Sequence, residues 1–570
     1  MKNKALLSKL IYLAILIGLL ASMLAIGCSS PATSTQATAP PKTTQVVTSP
    51  TVPVAAPPTT PVAPPKTTPT AVSPTTPATS ATATTPKYGG TLKVIASGTI
   101  QNIGDPISAF GPDDGTFQSP AVEKLITVDP KGNIIPNLAT SWTISPDNKY
   151  ITMNLRKGVK FHDGTTCDAA AVKFNLDLFR TGPRPDLKTI ASIDVIDDST
   201  IRLNYATFDP ALLANMWAAV GWIVSPTAYK ANGADWAKTH PIGTGPYKFV
   251  SYTRDVSVKY VRFDDYWGGK PYLDAMEYDL IADPATALAT FKSGAAQASI
   301  IVGTKDAAAM QSSSQYSINK IPAQVHTIAP DSTTATSPFS KLKVRQAVAY
   351  AIDTAAIAKV VGNGFYSATN QIAVPEGYSY NPSIVGYPYD PTKAKQFLSD
   401  AGYANGFNTT ITFQVNPEDQ DAVTAVQAYL SAVGINAKLD GADLSRFVTV
   451  YTNGWTNAML FPMSIANSIG SDPARALLTP LSSERSRFPS VSIPADYNNL
   501  LLAANTEPDA VKRQTEFQQI NKMIIDQYCM VIPVHEHWYI AIYNSQVLHD
   551  FTMNGVAPGV WYPQKAWLSQ

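Results

Sequence analysis

The composition of the chain changes abruptly near residue 87, and this change limits where a folded core can form. Between residues 29 and 86, Pro, Thr, Ala, Ser and Val dominate, the only charged residues are Lys42 and Lys66, and no aromatic residue occurs before Tyr88. Such a segment buries too little apolar surface to offset the entropy of ordering, so we predict an extended, disordered tether. The remaining residues, 87–570, are too many for one simple core and predict two or more lobes.

The N-terminus has the features of a secretory signal. Three lysines within the first nine residues precede an apolar run over residues 10–26, which ends in small residues just before Cys28. The alternative, a membrane-spanning helix, is less favoured because the run is of marginal length. The sequence Ala-Ile-Gly-Cys at residues 25–28 resembles the bacterial lipobox, which implies a signal peptide over residues 1–27 and lipidation of Cys28.

Charge and cysteine content exclude several classes of protein. The chain has 43 Lys and Arg against 42 Asp and Glu, with no basic stripe, so we do not expect nucleic acid as a partner. If Cys28 is lipidated, Cys167 and Cys529 remain, and a disulfide between them is not favoured. Their spacing fits no metal motif.

Residues 240–280 predict a turn followed by paired strands. Gly243, Gly245 and Pro246 form a rigid turn, and alternating apolar residues follow over residues 247–252 and 256–263. A third extended run covers residues 272–281, and a helix follows over residues 284–292. A phosphate-binding loop is excluded because a strand, and not a helix, comes after the glycines.

Other segments predict an α/β protein. Residues 117–125 predict a short helix, and Asp168 is placed to cap a helix over residues 169–179. Strands over residues 410–415 and 435–439 flank a helix over residues 421–433. This order of strand, helix and strand is typical of a βαβ unit with parallel strands.

Three sets of polar residues invite a functional interpretation. His162 and Asp163 are adjacent in a turn with no nucleophile pattern, so a turn-stabilising role is favoured over catalysis. Arg345, on a packed helix, is predicted to be a structural ion-pair residue. His535 and His537 share one face of a strand, but no third or fourth ligand is visible near them. We therefore expect structural or ligand-lining histidines, and neither a metal centre nor a cofactor.

Several blocks of the sequence resemble one known family along residues 87–570. They read PIGTGPY and YWGGKP in residues 240–280, NLATSW, LRKGVKFHDG and DAAAVKFN in residues 137–175, and PFSKLKVRQAVAYAID and YDPTKAKQFLSDAGY in residues 338–403. These blocks are similar to those of the extracellular solute-binding proteins that serve dipeptide, oligopeptide and nickel ABC importers.

The resemblance implies a two-lobed, periplasmic-binding-protein-like α/β fold with a hinge and an extra inserted domain. The implied divisions are a signal peptide (1–27), the lipidated cysteine and tether (28–86), the first lobe (87–126, 239–329 and 533–570), its inserted domain (127–238) and the second lobe (330–532). A solute would be enclosed between the lobes, and hinge closure would signal the permease.

The resemblance also places a ligand site. The implied residues are Phe110, Asp113, Asp114, Thr116, Phe117, Trp217, Trp222, Phe461, Met463, Ser464 and Asn467. Peptide-binding relatives carry an aspartate near residues 464–467 that pairs with the α-ammonium of the peptide, and here this block is uncharged. Two alternatives stay open: Asp113 or Asp114 replaces the missing charge, or the solute is neutral and stacks on Trp217, Trp222 and Phe461.

The function implied is that of a receptor and not of an enzyme. A monomeric protein, anchored by the lipid on Cys28 at the outer face of the cell membrane, in the periplasm or the cell-wall space, would capture a peptide or peptide-like solute and deliver it to ABC permease subunits. An oligosaccharide, another neutral solute or a metal chelate is the alternative solute. A secreted metal-dependent hydrolase is the rival class, and the lack of a helical His-Glu-x-x-His motif speaks against it.

Overall fold

The computed structural model describes residues 85–96, 100, 102–108, 112–182, 187–218, 220–300, 302–465, 472–551 and 563–569, with the backbone alone at 112–114, 321–323 and 464–465. The predicted signal peptide, Cys28 and nearly all of the tether lie outside these residues. In the part of the chain that is described, no helix is both long and apolar enough to span a bilayer.

Strands make up the centre of the fold. Those in the described residues are β1 (Thr91–Ala96), β2 (Glu123–Lys124), β3 (Ile126–Val128), β4 (Ile134–Pro136), β5 (Ala139–Ile144), β6 (Tyr150–Leu155), β7 (Ile190–Asp197), β8 (Thr200–Tyr205), β9 (Trp222–Ile223), β10 (Tyr247–Thr253), β11 (Ser257–Arg262), β12 (Ala275–Leu280), β13 (Ala298–Ser299), β14 (Tyr316–Pro330), β15 (Phe407–Gln414), β16 (Ile435–Ala442), β17 (Met459–Ile465), β18 (Ile532–Asn544), β19 (Leu548–His549) and β20 (Trp567–Leu568).

Helices occupy much of the remaining chain. They are α1 (Pro112–Gln118), α2 (Ala169–Thr181), α3 (Leu212–Ala218), α4 (Pro226–Asn232), α5 (Ala234–Ala237), α6 (Pro284–Lys292), α7 (Thr304–Met310), α8 (Leu342–Ala351), α9 (Thr354–Gly362), α10 (Pro391–Asp400), α11 (Pro417–Ala432), α12 (Leu444–Asn453), α13 (Pro473–Leu481), α14 (Ala495–Thr506) and α15 (Ala510–Lys522). A π-helix, Met523–Gln527, continues α15, and 3₁₀ turns cover Pro338–Ser340 and Pro563–Lys565.

Ten of these strands form one mixed sheet in the order β10-β11-β12-β1-β13-β18-β14-β17-β15-β16. The predicted βαβ unit is confirmed, because β15 and β16 run parallel and α11 connects them. Two long strands, β14 and β18, pair antiparallel in the middle of the sheet. They therefore connect its two ends.

A smaller antiparallel sheet, in the order β5-β6-β8-β7, forms between β4 and α3 in the sequence. The predicted cap of α2 is confirmed, because the Asp168 carboxylate accepts a hydrogen bond from the Ala171 N–H at 2.8 Å. Leu176 and Phe179 of α2 are fully buried in the apolar cluster of this region. Val325 of β14 and Val374 belong to the same cluster, so the central strands pack against this region.

The chain bends at residues 243–246, where a turn was predicted, and two backbone segments approach each other closely there. A Cβ atom on Gly243 would lie 2.2 Å from the Ala121 carbonyl oxygen, and one on Gly245 would lie 2.5 Å from that of Pro120. The Gly245 N–H instead donates to the Ala121 carbonyl at 3.0 Å. Side chains larger than hydrogen do not fit at either position.

The helix predicted over residues 117–125 is wrong for most of its length. Helix α1 ends at Gln118, and residues 123 and 124 pair as a short strand with β9. Pro120 explains the difference, because proline removes an N–H donor and disfavours helix at the preceding residue. Cys167 and Cys529 are both buried and free.

Candidate functional site

The register of β14 and β18 divides their side chains between two faces. Val325 pairs with Glu536, His326 with His535, and Gln324 with His537. Because neighbouring side chains of a strand alternate between faces, Glu536 and Val325 lie on one face, and the three histidines lie on the other. The prediction that His535 and His537 share a face is confirmed.

A cavity of about 590 Å³ lies beside Glu536. Its lining consists of Ala349, Asp353, Thr354, Ala355, Ser367, Ala368, Thr369, Asn370, Pro375, Glu376, Tyr380, Val385, Tyr387, Pro388, Tyr389, Ile532, Pro533, Glu536 and Trp538. Three of these residues are carboxylates and four are aromatic, and the described lining includes neither Lys nor Arg. A cavity of this size and polarity fits a small organic solute better than a single ion.

Backbone pairing holds Glu536 in place. Its N–H donates to the Ser367 carbonyl at 2.8 Å. At this position β14 pairs with one edge of β18 and Ser367 pairs with the other. Glu536 is only 4% exposed, and no described residue donates a hydrogen bond to its carboxylate. Burial raises its pKa to about 7, and the nearby Glu376 acts in the same direction while Lys320 opposes it.

The three histidines converge on the opposite face. The His326 ring stacks on that of His537, with centroids 4.8 Å apart, and lies 4.9 Å from the His535 ring. Tyr366 stacks on His535 at 4.9 Å. Burial lowers the pKa of all three imidazoles, to about 3 for His535, so they are neutral at pH 7. The expectation that His535 and His537 have no third histidine near them is wrong, because the pairing of β14 with β18 brings His326 to them.

The predicted ligand residues lie elsewhere, and none of those that are described lines this cavity. Phe110 and Asn467 are outside the described residues. Asp113 and Asp114 lie in α1, and Ser464 pairs with His326 in β17, but their side chains are not described. The remaining residues are all buried: Thr116, Phe117, Trp217, Trp222, Phe461 and Met463.

Two of these buried residues, Trp217 and Trp222, enclose a lysine. The Lys124 ammonium lies 4.2 Å from the Trp222 ring centroid and 5.4 Å from that of Trp217, and it donates to the Trp217 carbonyl. Burial and the positive charge of Arg475 lower the Lys124 pKa to about 7. The two tryptophans thus form a cation–π site for the chain's own lysine.

The predicted roles of two other groups are now defined. His162 and Asp163 stabilise the fold, because the His162 Nε2 lies 2.9 Å from the Gly245 carbonyl oxygen and Asp163 accepts from the Thr165 hydroxyl at 2.6 Å. Arg345 is structural, but it is not an ion-pair residue among the described groups. Its guanidinium donates instead to backbone carbonyls, which are those of Phe339, Ser340, Tyr528 and Cys529.

Neither Glu376 nor Glu536 was among the ligand residues predicted from the sequence. The motif around Glu536 was noted for its histidines, and strand alternation already implied that Glu536 faces away from them. No local signal joins Glu376 to β18, because a loop distant in the sequence supplies it.

Known proteins are similar to this chain in sequence and in fold. The family model described as "Bacterial extracellular solute-binding proteins, family 5 Middle" matches residues 133–485. The glutathione-binding protein GsiB of Pectobacterium atrosepticum is 32% identical over 375 residues, which cover 64% of this chain and 72% of that protein.

Two solved structures have the same fold. The binding protein AgaA from A. tumefaciens R10, in complex with agropinic acid, is 26% identical with a TM-score of 0.70 and covers 84% of this chain and 99% of its own. The periplasmic binding protein DppA from Helicobacter pylori, in complex with the peptide STSA, is 23% identical with a TM-score of 0.71. The match covers 85% of this chain and 99% of DppA. The chain therefore belongs to family 5 of the bacterial extracellular solute-binding proteins, which are extracytoplasmic receptors of ABC importers and not enzymes.

Proposed function

We propose that this receptor captures a peptide or peptide-like solute whose ammonium group binds beside Glu536. The observation that carries the proposal is the acidic cavity, in which Asp353, Glu376 and Glu536 are the charged residues of the described lining. The Asp353 carboxylate already caps α9 by accepting from the Ala356 N–H. Glu536 and Glu376 are therefore the carboxylates that a solute would meet.

The energetic argument concerns the desolvated carboxylate. A buried carboxylate without a hydrogen-bond donor is costly, and a ligand cation that pairs with it offsets the cost. Removing one partner of such a buried charge pair weakens binding by roughly 2–5 kcal/mol. Glu536 would thus supply the charge that peptide-binding relatives carry in the block matching residues 464–467.

The similar proteins support this class of solute. Their ligands are glutathione for GsiB and the peptide STSA for DppA, and both molecules contain an α-ammonium group. Aromatic side chains at Tyr380, Tyr387 and Trp538 would pack against the apolar parts of such a solute.

The position of the cavity fits enclosure between two lobes. We assign residues 330–532 to the second lobe and residues 533–570 to the first, as predicted from the sequence. The cavity is lined by residues 349–389 from one side and by β18 from the other, so this division would place it at the lobe boundary. Hinge closure over the solute would then present the closed form to the permease.

The test compares peptides with their N-acetylated forms. Calorimetric titration of the parent with dipeptides, tetrapeptides and glutathione should find binding that N-acetylation weakens. Glu536→Gln should bind the free peptide at least about thirtyfold more weakly, the equivalent of about 2 kcal/mol, and should bind the acetylated peptide as the parent does. Glu376 is exposed, so Glu376→Gln should weaken binding of the free peptide by about fivefold or less.

The control variant is Glu484→Gln, which removes the same charge from an exposed position outside the cavity. It should leave affinity unchanged. Equal loss of affinity in Asp113→Asn or Asp114→Asn, with none in Glu536→Gln, would assign the ammonium to α1 instead. Tight binding of an oligosaccharide that contains no ammonium group, with no binding of peptides, would contradict the proposal.

We also propose that the mature protein is anchored through lipid on Cys28. The support is the run of small residues before Cys28 and the tether that follows it. Cys28→Ala should move the protein from the membrane fraction to the soluble fraction, because acyl chains provide the attachment. Retention of Cys28→Ala in salt-washed membranes would contradict the anchor, and the matched control Ser29→Ala should stay with the membrane.

A further inference from the structure

Three of the six histidines of this chain come together from two strands that are far apart in the sequence. We propose that His326, His535 and His537 bind one divalent transition-metal ion of the zinc type, on the face of β14 and β18 opposite to Glu536. The site is distinct from the acidic cavity, so it does not depend on the identity of the solute.

The first argument is that the donors are available. One ring nitrogen of each histidine lies within 4.8 Å of the other two. The Nδ1 atom of each ring is buried, and none has a hydrogen-bond partner. Buried polar atoms nearly always form a hydrogen bond, so three buried ring nitrogens that form none, all in one cluster, indicate a missing ligand.

The second argument is the small movement that coordination requires. Zinc–nitrogen bonds of about 2.0–2.1 Å place tetrahedral ligands about 3.3 Å apart, so the widest pair, at up to 4.8 Å, would close by about 1.5 Å. The His326 and His537 rings lie only 3° from parallel and donate through lone pairs in the ring plane, so one of them would also rotate out of the stack to bind the same ion. Imidazole nitrogen is a ligand that Zn²⁺, Co²⁺ and Ni²⁺ all accept.

The third argument is that carboxylates stand next to the histidines. At the start of α11, the Asp419 Oδ1 lies 3.5 Å from the His326 Nδ1, and the Glu418 Oε2 lies 3.9 Å from the His537 Nδ1. Asn416 holds the second oxygen of Asp419 at 2.5 Å. Asp419 is therefore oriented to serve as the fourth ligand or to accept a hydrogen bond from a ligating ring.

The ion would join β14, β18 and α11. Because the unfolded chain does not hold these residues together, binding to the folded state should raise the melting temperature in proportion to the logarithm of metal concentration. We expect the ion to act on stability, since the three imidazoles are packed against Tyr366 and Phe461.

The experiment uses the full chain with an affinity tag that contains no histidine. After removal of metal with a chelator, titration with ZnCl₂ should show one equivalent bound. Loading with Co²⁺ should give the visible absorption of a tetrahedral site, and X-ray absorption of the parent should count imidazole ligands without any variant. His326→Asn and His537→Asn should each weaken binding at least about a hundredfold.

His240→Asn and His549→Asn are the matched controls, since both histidines lie outside the cluster, and they should bind one equivalent as the parent does. Circular dichroism establishes that each variant folds. The proposal is overturned if the parent binds no metal at millimolar ZnCl₂, or if the double variant His326→Asn/His537→Asn still binds one equivalent. It is also overturned if X-ray absorption finds no imidazole around the bound ion.

Discussion

Glu123 shows how distant blocks of this sequence meet at one buried carboxylate. It accepts hydrogen bonds from the Thr244 hydroxyl at 2.8 Å, the Tyr266 hydroxyl at 2.8 Å and the Trp267 indole N–H at 2.7 Å. Burial outweighs these donors and the nearby positive charge of Arg156, and it raises the pKa of Glu123 from its usual 4.5 to about 7. The turn at residues 243–246 and the aromatic pair that follows β11 are thus fixed to β2.

This pKa predicts how Glu123→Gln changes stability with pH. Because the folded state holds the proton more tightly than the unfolded state, the contribution of Glu123 to stability is complete below about pH 4.5 and declines as the pH rises through about 7. The glutamine side chain does not titrate, so the variant lacks this pH-dependent contribution to stability. Its free energy of unfolding should therefore gain about 2–3 kcal/mol relative to the parent between pH 4.5 and pH 8.

Urea unfolding of parent and variant at a series of pH values measures this difference, and other titrating groups cancel in it. Asp264→Asn is the control, since Asp264 is exposed and its pKa is lowered by Arg262. A difference between Glu123→Gln and the parent that stays constant over this range would show that Glu123 is ionised throughout.

At the scale of helices and strands, the sequence correctly predicted those features that depend on residues close to one another in the chain. The cap at Asp168, the helix α6 and the parallel pair β15 and β16 all follow from residues close in sequence. The hydrogen-bond partners of Arg345 could not be predicted in this way, because its carbonyl acceptors at Tyr528 and Cys529 come from the end of a π-helix that is distant in the sequence. The same limit explains why His326 was not associated with His535, since strand pairing between distant segments has no local signature.

Arg345 therefore links α8 to the segment that leads into β18. Arg345→Met should lower the free energy of unfolding by about 3 kcal/mol, because it leaves buried carbonyls without a donor while keeping an apolar stem of similar length. On the same helix, Lys343→Met removes an exposed ion pair with Asp400, 2.7 Å long, and should cost less than about 1 kcal/mol. Chemical denaturation of both variants checks the prediction, and equal losses would refute it.

At the scale of the whole molecule, the sequence predicted the fold class because long blocks match one family, but it did not predict the cavity. Ser367, Glu376 and Glu536 meet only through the register of β18 with a distant loop. The choice of the uncharged block at residues 464–467 as the ligand centre followed the family's pattern, whereas the acidic cavity follows from this chain's own packing. Function was thus predictable from the sequence as a class, whereas the cavity on which the proposed solute rests required the three-dimensional arrangement.

The composition of residues 29–86 leads to a prediction about the whole chain. A segment without aromatic residues and with two charges has little to bury against a folded surface, so its removal should leave the stability of the folded part almost unchanged. Calorimetry of the mature chain with and without residues 29–86 should find melting temperatures within about 2 °C of each other. A decrease of several degrees in the shortened chain would show instead that the segment docks on the folded part, and a scrambled segment of the same composition would then distinguish specific docking from an effect of composition.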